Sequence, residues 1–363
     1  MALGASGGTM GAAMASDVNY RRLASDDDVW RVRAFLRAAF LADAARSGVW
    51  HVARFDYVHW HVCRNVAEVP LEDVAWCWEM DGEVAALLIA DGGPGDAHLS
   101  VAPGRRSEAL EASMLDLAEA VLAVSEPLAD GGPGPAADGG SDPVADAGSG
   151  RGADGASGPA ADGVAVERRR LVVWAGADDR MRTALLEQRG YRRSDVAEWR
   201  WRRSLRTVPG VAPLPPGYRL RPLGDGLDLL ERCYASGLAF HDDVRVAAEN
   251  RDDPGWYRNV QRAPLYRRDL DLVAEAPDGA IAGFVTVWFD DATRSAYLEP
   301  VGVVPAHRRR GLARALIGGA LAAAQRIGAT QAFVGGYDDD ANALYGSLLG
   351  DGVEVVEAWL RRW

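Results

Sequence analysis

The feature that most restricts this chain is that its sequence pattern begins twice. Tyr20-Arg-Arg-Leu23 leads into an amphipathic helical stretch from Val29 to Phe40, and Tyr218-Arg-Leu-Arg-Pro-Leu223 leads into another from Leu227 to Phe240. Each half continues with a strand-like segment, Val74–Met80 and Asp271–Ala276, ending in an Asp-Gly turn at Asp81-Gly82 or Asp278-Gly279, a dipeptide suited to hairpin tips. Second strands follow at Val84–Ala90 and Ala280–Phe289, then a third that ends in a proline loop at Pro103 or Pro305, then a helix. Tyrosine to proline spans 83 residues in one half and 87 in the other. The chain therefore contains an internal repeat. Each copy reads β-α(α)-β-β-β-α-β-α-β, which implies a mixed, mostly antiparallel sheet flanked by helices, an α+β (α/β layered) fold.

The segment 129–163 is almost wholly Ala, Gly, Asp, Pro and Ser and lacks the apolar surface needed to order itself. It falls between a helix at Leu110–Val124 and a strand at Leu171–Ala175, so it is an insertion within the first copy and not a boundary. Its Gly150-Arg-Gly152-Ala-Asp-Gly155 matches GxGxxG in letters only, because no strand precedes it and no apolar helix follows. A second break, Thr207–Gly217, is proline-rich and reads as a linker. The expected division is a disordered tail at 1–16, a first domain at 17–205 carrying the disordered insertion, a linker at 206–217 and a second domain at 218–363.

Composition removes several chemistries. All 40 basic residues are arginine, so neither a P-loop lysine nor a Schiff-base lysine is available. Six Asp and one Arg in 129–163 account for −5 of the formal charge of −12, leaving a thin excess that speaks to solubility more than to partners. No apolar run is long enough to span a bilayer, and the first sixteen residues lack the basic and apolar regions of a signal peptide. Three cysteines without metal or redox spacing fit a reducing, cytoplasmic setting. The short Arg runs at 168–170 and 308–310 give no basis for nucleic-acid binding.

The chemistry concentrates in Tyr297-Leu-Glu-Pro-Val-Gly-Val-Val-Pro-Ala-His-Arg-Arg-Arg-Gly-Leu-Ala-Arg-Ala-Leu316. A β-branched strand enters a loop with Arg308-x-x-Gly311-x-Ala313, then a helix with Leu312, Leu316, Ala320, Ala323 and Ile327 on one face. Free N–H groups at such a helix start, with the positive end of its dipole, attract phosphate oxygens without any lysine. These residues resemble the signature of the GNAT acetyltransferase superfamily, throughout the second copy and in outline in the first. That family's second signature is similar to Asp338-Asp-Asp-Ala341-Asn-Ala-Leu344-Tyr345, with Asp338 where Asn is usual and Leu349-Gly350 replacing Gly-Phe. Asp338 also suits a helix N-cap.

The resemblance implies two tandem GNAT-like domains and transfer of acetyl from acetyl-CoA to a primary amine of a small molecule or peptide by direct attack. It implies a cofactor site at Val301, Val303, Arg308, Arg309, Arg310, Gly311, Leu312, Ala313 and Asp338, with Glu299 as base, Tyr345 as acid, and backbone N–H groups around Val301–Val303 polarising the thioester carbonyl. Glu299 is expected either among apolar neighbours on its strand or paired with an arginine. His241, Asp242 and Trp256 are candidate acceptor contacts, no metal is expected, and a second copy of the chain is a further candidate partner. The competing expectation is a non-catalytic acyl-CoA sensor or amine-binding protein on the same scaffold.

The first copy departs from the pattern. Aligning Pro103 with Pro305 puts Arg106 at Arg308, Ala109 at Gly311, Glu111 at Ala313 and Leu186 at Tyr345, so a carboxylate is expected to face the pyrophosphate position. His51, His59 and His61, among Trp50, Tyr57 and Trp60, lack metal-ligand spacing and read as aromatic core, substrate wall or interdomain contact.

Overall fold

A computed structural model describes residues 19–43, 49–92, 94–127, 167–207 and 210–363. The tail at 1–16 and the insertion at 129–163, with its GxGxxG lettering, lie outside the described residues. The first copy comprises β1 (Tyr20–Arg22), α1 (Asp26–Asp43), α2 (Val52–Tyr57), which runs through a π-helical turn into α3 (Cys63–Asn65), β2 (Ala75–Met80), β3 (Glu83–Ile89), β4 (Asp96–Val101), α4 (Glu108–Val121), β5 (Val124–Pro127), β6 (Glu167–Gly176), α5 (Arg180–Gln188) and β7 (Arg192–Ser204). The second comprises β8 (Arg219–Pro222), α6 (Leu227–His241), α7 (Val244–Asp252), α8 (Gly255–Gln261), β9 (Asp271–Glu275), β10 (Ile281–Asp290), β11 (Ser295–Val303), α9 (Leu312–Arg326), β12 (Gln331–Gly336), α10 (Asp339–Leu349) and β13 (Gly352–Arg362).

The strands form one sheet in the order β1-β2-β3-β4-β6-β13-β7-β12-β11-β10-β9-β8, with β5 beside β6. Parallel ladders occur at the equivalent places in each copy, β4 with β6 and β11 with β12; the other strand ladders are antiparallel. The repeat does not close copy by copy. The last strand of the first copy, β7, pairs with β12, and the last strand of the second, β13, pairs with β6, while β7 and β13 pair with each other. The two halves exchange their final strands. Amino-acid pattern alone left each copy with its own last strand, because alternation specifies a strand's faces and not its neighbour.

Two main cores flank this sheet. One joins α1 and α2 of the first copy to Phe284, Trp288, Tyr297 and Phe333 of the second. The other packs α9 and α10 on Val285, Val287, Leu298, Ala332 and Val334. Alternation along the strands explains the division, since Tyr297 and Leu298, or Phe333 and Val334, point to opposite faces. No helix among the described residues is long and apolar enough to cross a membrane.

Candidate active site

The site begins where two strands part. β11 pairs with β12 only from Ser295 opposite Gln331 to Tyr297 opposite Phe333, and from Leu298 onward it has only β10 as a ladder partner. On that side Val285 faces Val301 while Val287 faces Leu298, so β11 carries one extra residue, a bulge at Glu299-Pro300. The buried Trp288 indole N–H donates to the Glu299 carbonyl at 2.6 Å, fixing the bulge. Val301 and Val303 follow on the parted edge.

The loop beyond β11 feeds α9. Gly311 is its N-cap at φ +82°, with no side chain capping the first turn, and a Cβ built there meets nothing within 4 Å. The first-turn N–H groups therefore have no side-chain cap at the positive end of a fifteen-residue helix. Arg308 shapes this loop: its guanidinium donates to the Val303 carbonyl at 3.1 Å and the Ala239 carbonyl at 2.8 Å, joining α6 to β11. Arg310 donates to Tyr218 Oη and the Ala306 carbonyl, both at 3.3 Å. Arg309 is exposed at φ +62°, Leu312 is buried and Ala313 half-buried. What fits a phosphate here is chiefly backbone. Asp338 accepts the Ala341 N–H at 2.7 Å as the N-cap of α10, and Tyr345 lies buried in the α9–α10 core.

Glu299 faces the other way, into the first copy. Its Oε1 accepts from Arg54 Nη1 at 3.1 Å, and Arg54 also binds Asp91 and reaches Tyr337 Oη at 3.4 Å. Of the two expectations for Glu299, the structure has the arginine partner, a buried guanidinium from α2. Glu299 and Tyr345 consequently occupy opposite faces of the sheet at the parting.

Three further contacts tie the halves together there. His51 Nδ1 accepts the Ala53 N–H at 3.1 Å, so the proton sits on Nε2, which donates to Ser295 Oγ at 2.6 Å. Burial lowers the His51 pKa to about 4, and the ring stacks on Tyr297 at 5.3 Å. Arg37 of α1 binds the buried Asp290 at 2.8 Å. Asn65 accepts from Asn259 at 2.6 Å and donates to the Trp256 carbonyl at 3.3 Å.

Of the acceptor candidates, Asp242 adopts a left-handed conformation as the C-cap of α6, with His241 as that helix's last residue. Trp256 packs on His61 at 5.3 Å, between the copies. None of the three lines the cavity of about 300 Å³ found at the parting, whose wall includes Phe40, Trp50, His51, Arg54, Tyr297 and Phe333. Arg54 was missed by sequence reading, since its pairing across the halves leaves no local spacing, and Trp288 was read only as part of an apolar strand; His51 lines the cavity and bonds Ser295 across the copies, two of the roles the sequence left open for it. Among the described residues no cluster of three or more His, Cys, Asp or Glu is arranged to hold a metal.

The first copy has the same parting, filled. β4 leaves β6 after His98 opposite Trp174, and Arg182 of α5 donates to the carbonyl of the next residue, Leu99, at 2.8 Å. Arg182 also holds Glu111 at 2.9 Å, and Arg106 binds both Glu111 and Asp179. Burial pushes the Glu111 acid up, yet Arg182 and Arg106 hold it below its ordinary value. The expected bare carboxylate is therefore corrected: Glu111 is fully buried and paired. Ser107 caps α4 by accepting the Leu110 N–H at 3.2 Å, and β4 pairs with β3 without a bulge.

The model of the Acetyltransferase (GNAT) family matches residues 238–350, which contain the parted strands, the loop, α9 and α10. This segment is a GNAT domain. No curated protein sequence matches the chain. Among solved structures, a GCN5-related N-acetyltransferase from Sphaerobacter thermophilus is 16% identical, with 96% of this chain and 97% of that one covered and a TM-score of 0.59. A tandem GNAT protein from the clavulanic acid biosynthesis pathway is 17% identical, with 95% and 98% covered and a TM-score of 0.58. A GNAT-family acetyltransferase from Colwellia psychrerythraea is 10% identical, with 94% and 100% covered and a TM-score of 0.53. At such identities the likeness is one of fold, and it extends the GNAT architecture over both copies.

Proposed function

We propose that the second copy transfers an acetyl group from acetyl-CoA to a primary amine, and that the first copy binds no cofactor. The observation that carries this reading is the parting of β11 from β12 beside an uncapped α9, set against the plugged and capped equivalent in the first copy. Acetyl-CoA supplies an activated acyl thioester. The α9 N–H groups behind Gly311 hold its phosphates, with Arg308 fixing the loop and Val301 and Val303 flanking the acyl end.

Glu299 acts at the bulge as the proton acceptor for the amine, since an ammonium has no lone pair with which to attack. Arg54 positions its carboxylate. The amine nitrogen bonds to the thioester carbon, the C–S bond breaks, and Tyr345, on the α9 side of the sheet, donates its proton to the departing CoA thiolate. Acetyl-CoA should raise the melting temperature by mass action, and mass spectrometry should detect acetylated amine from a primary-amine panel. Absence of a thermal shift at saturating acetyl-CoA contradicts the cofactor assignment; a shift with no product from any amine contradicts the transferase.

A further inference from the structure

The cavity at the parting belongs to neither copy alone. The first copy supplies Phe40, Trp50, His51 and Arg54, the second supplies Tyr297 and Phe333, and the exchanged strands β7 and β13 close it with Glu198, Arg200, Val353 and Glu354. Tyr297 and Phe333 are the last ladder pair before β11 and β12 separate. The cavity therefore abuts the parting on the sheet face opposite α9, and its inner wall includes Arg54, whose guanidinium holds Glu299.

Its lining has two characters. Phe40, Trp50, Tyr297, Phe333 and the neutral His51 present five rings. Opposite them Arg200 donates to Glu198 at 2.8 Å and lies 3.8 Å from Glu354. Arg54 faces Asp91 and Glu299, and across the whole wall Arg54, Arg200 and Arg202 are matched by Asp178, Glu198 and Glu354, so the charged groups carry no net charge. The rings favour a flat apolar body, and they also offer π-faces to an ammonium end, which the transferase reading requires of the acceptor. A volume of about 300 Å³ is at the small end of ligand pockets.

Resting on the transferase reading, we propose that this cavity is the acceptor site and that it takes a small arylalkylamine, a primary amine on a short chain from an aromatic ring. The silent first copy then contributes half of the substrate pocket. Phenethylamine is the probe, with spermidine and a lysine-containing peptide as non-aromatic comparisons, measured by calorimetry on the full chain. Phenethylamine should bind about tenfold more tightly than either comparison. Val353→Trp, at the half-exposed mouth, should weaken phenethylamine by about tenfold through steric exclusion, whereas Val353→Ala should not.

Equal or tighter binding of spermidine or peptide, no phenethylamine binding, or indifference to Val353→Trp overturns the proposal. Acetyl-CoA affinity is measured in the same samples: its absence defeats the transferase reading, while its presence, unchanged by Val353→Trp, leaves the amine result to judge the cavity by itself.

Discussion

Gly311 bears the most at the scale of single residues, because its left-handed backbone and open surroundings leave the α9 N–H groups accessible. Gly311→Glu should abolish stabilisation by acetyl-CoA in a thermal-shift assay by placing bulk and negative charge at the phosphate position, and a full shift would refute that placement. Glu299→Gln should lower kcat by about 100-fold, in the range of a lost general base, with acetyl-CoA affinity within about twofold; unchanged kcat would remove Glu299 from the mechanism. His51 gives a stability test. Burial holds its folded pKa near 4, below the ordinary 6.5, so the unfolded chain binds the extra proton between those values and the His51 contribution falls as pH drops from 6.5 towards 4. His51→Gln should flatten the denaturant-derived stability slope in that window by up to about 1.4 kcal/mol per pH unit, and an unaltered slope would contradict a neutral His51. The loop before α9 was legible in the sequence because its glycine, proline and helix periodicity act within twenty residues. Arg54 was not, lying 245 positions from Glu299, a separation across which no spacing rule operates.

At the scale of elements, repetition made strands and helices readable, whereas the exchange of β7 and β13 was invisible because both alternate as any final strand does. The exchange makes a strong claim. A fragment from Gly210 to Trp363 retains β13 but loses β7, which lies between β12 and β13, so it should show no cooperative unfolding transition by circular dichroism; a cooperative, acetyl-CoA-binding fragment would refute the dependence. The plugged parting of the first copy offers a second test. Glu111→Ala leaves Arg106 and Arg182 without their buried partner and should cost about 3–5 kcal/mol in chemical denaturation. Less than about 1 kcal/mol would mean that the cluster is not the structural plug described.

Across the whole molecule, one repeat has been put to two uses: an open parting with an uncapped helix, and a filled one with a capped helix, joined by exchanged strands and by Arg37–Asp290, His51–Ser295 and Arg54–Glu299 contacts. The duplicated sequence made two copies legible, and Glu111 and Leu186 marked the first as altered. The means of closure, Arg182 reaching the Leu99 carbonyl from α5, depended on tertiary placement and could be seen only in the fold. The central claim is this asymmetry, and calorimetric titration of the full chain with acetyl-CoA tests it most directly. One site per chain is the expected result; two sites, or none, would contradict the account.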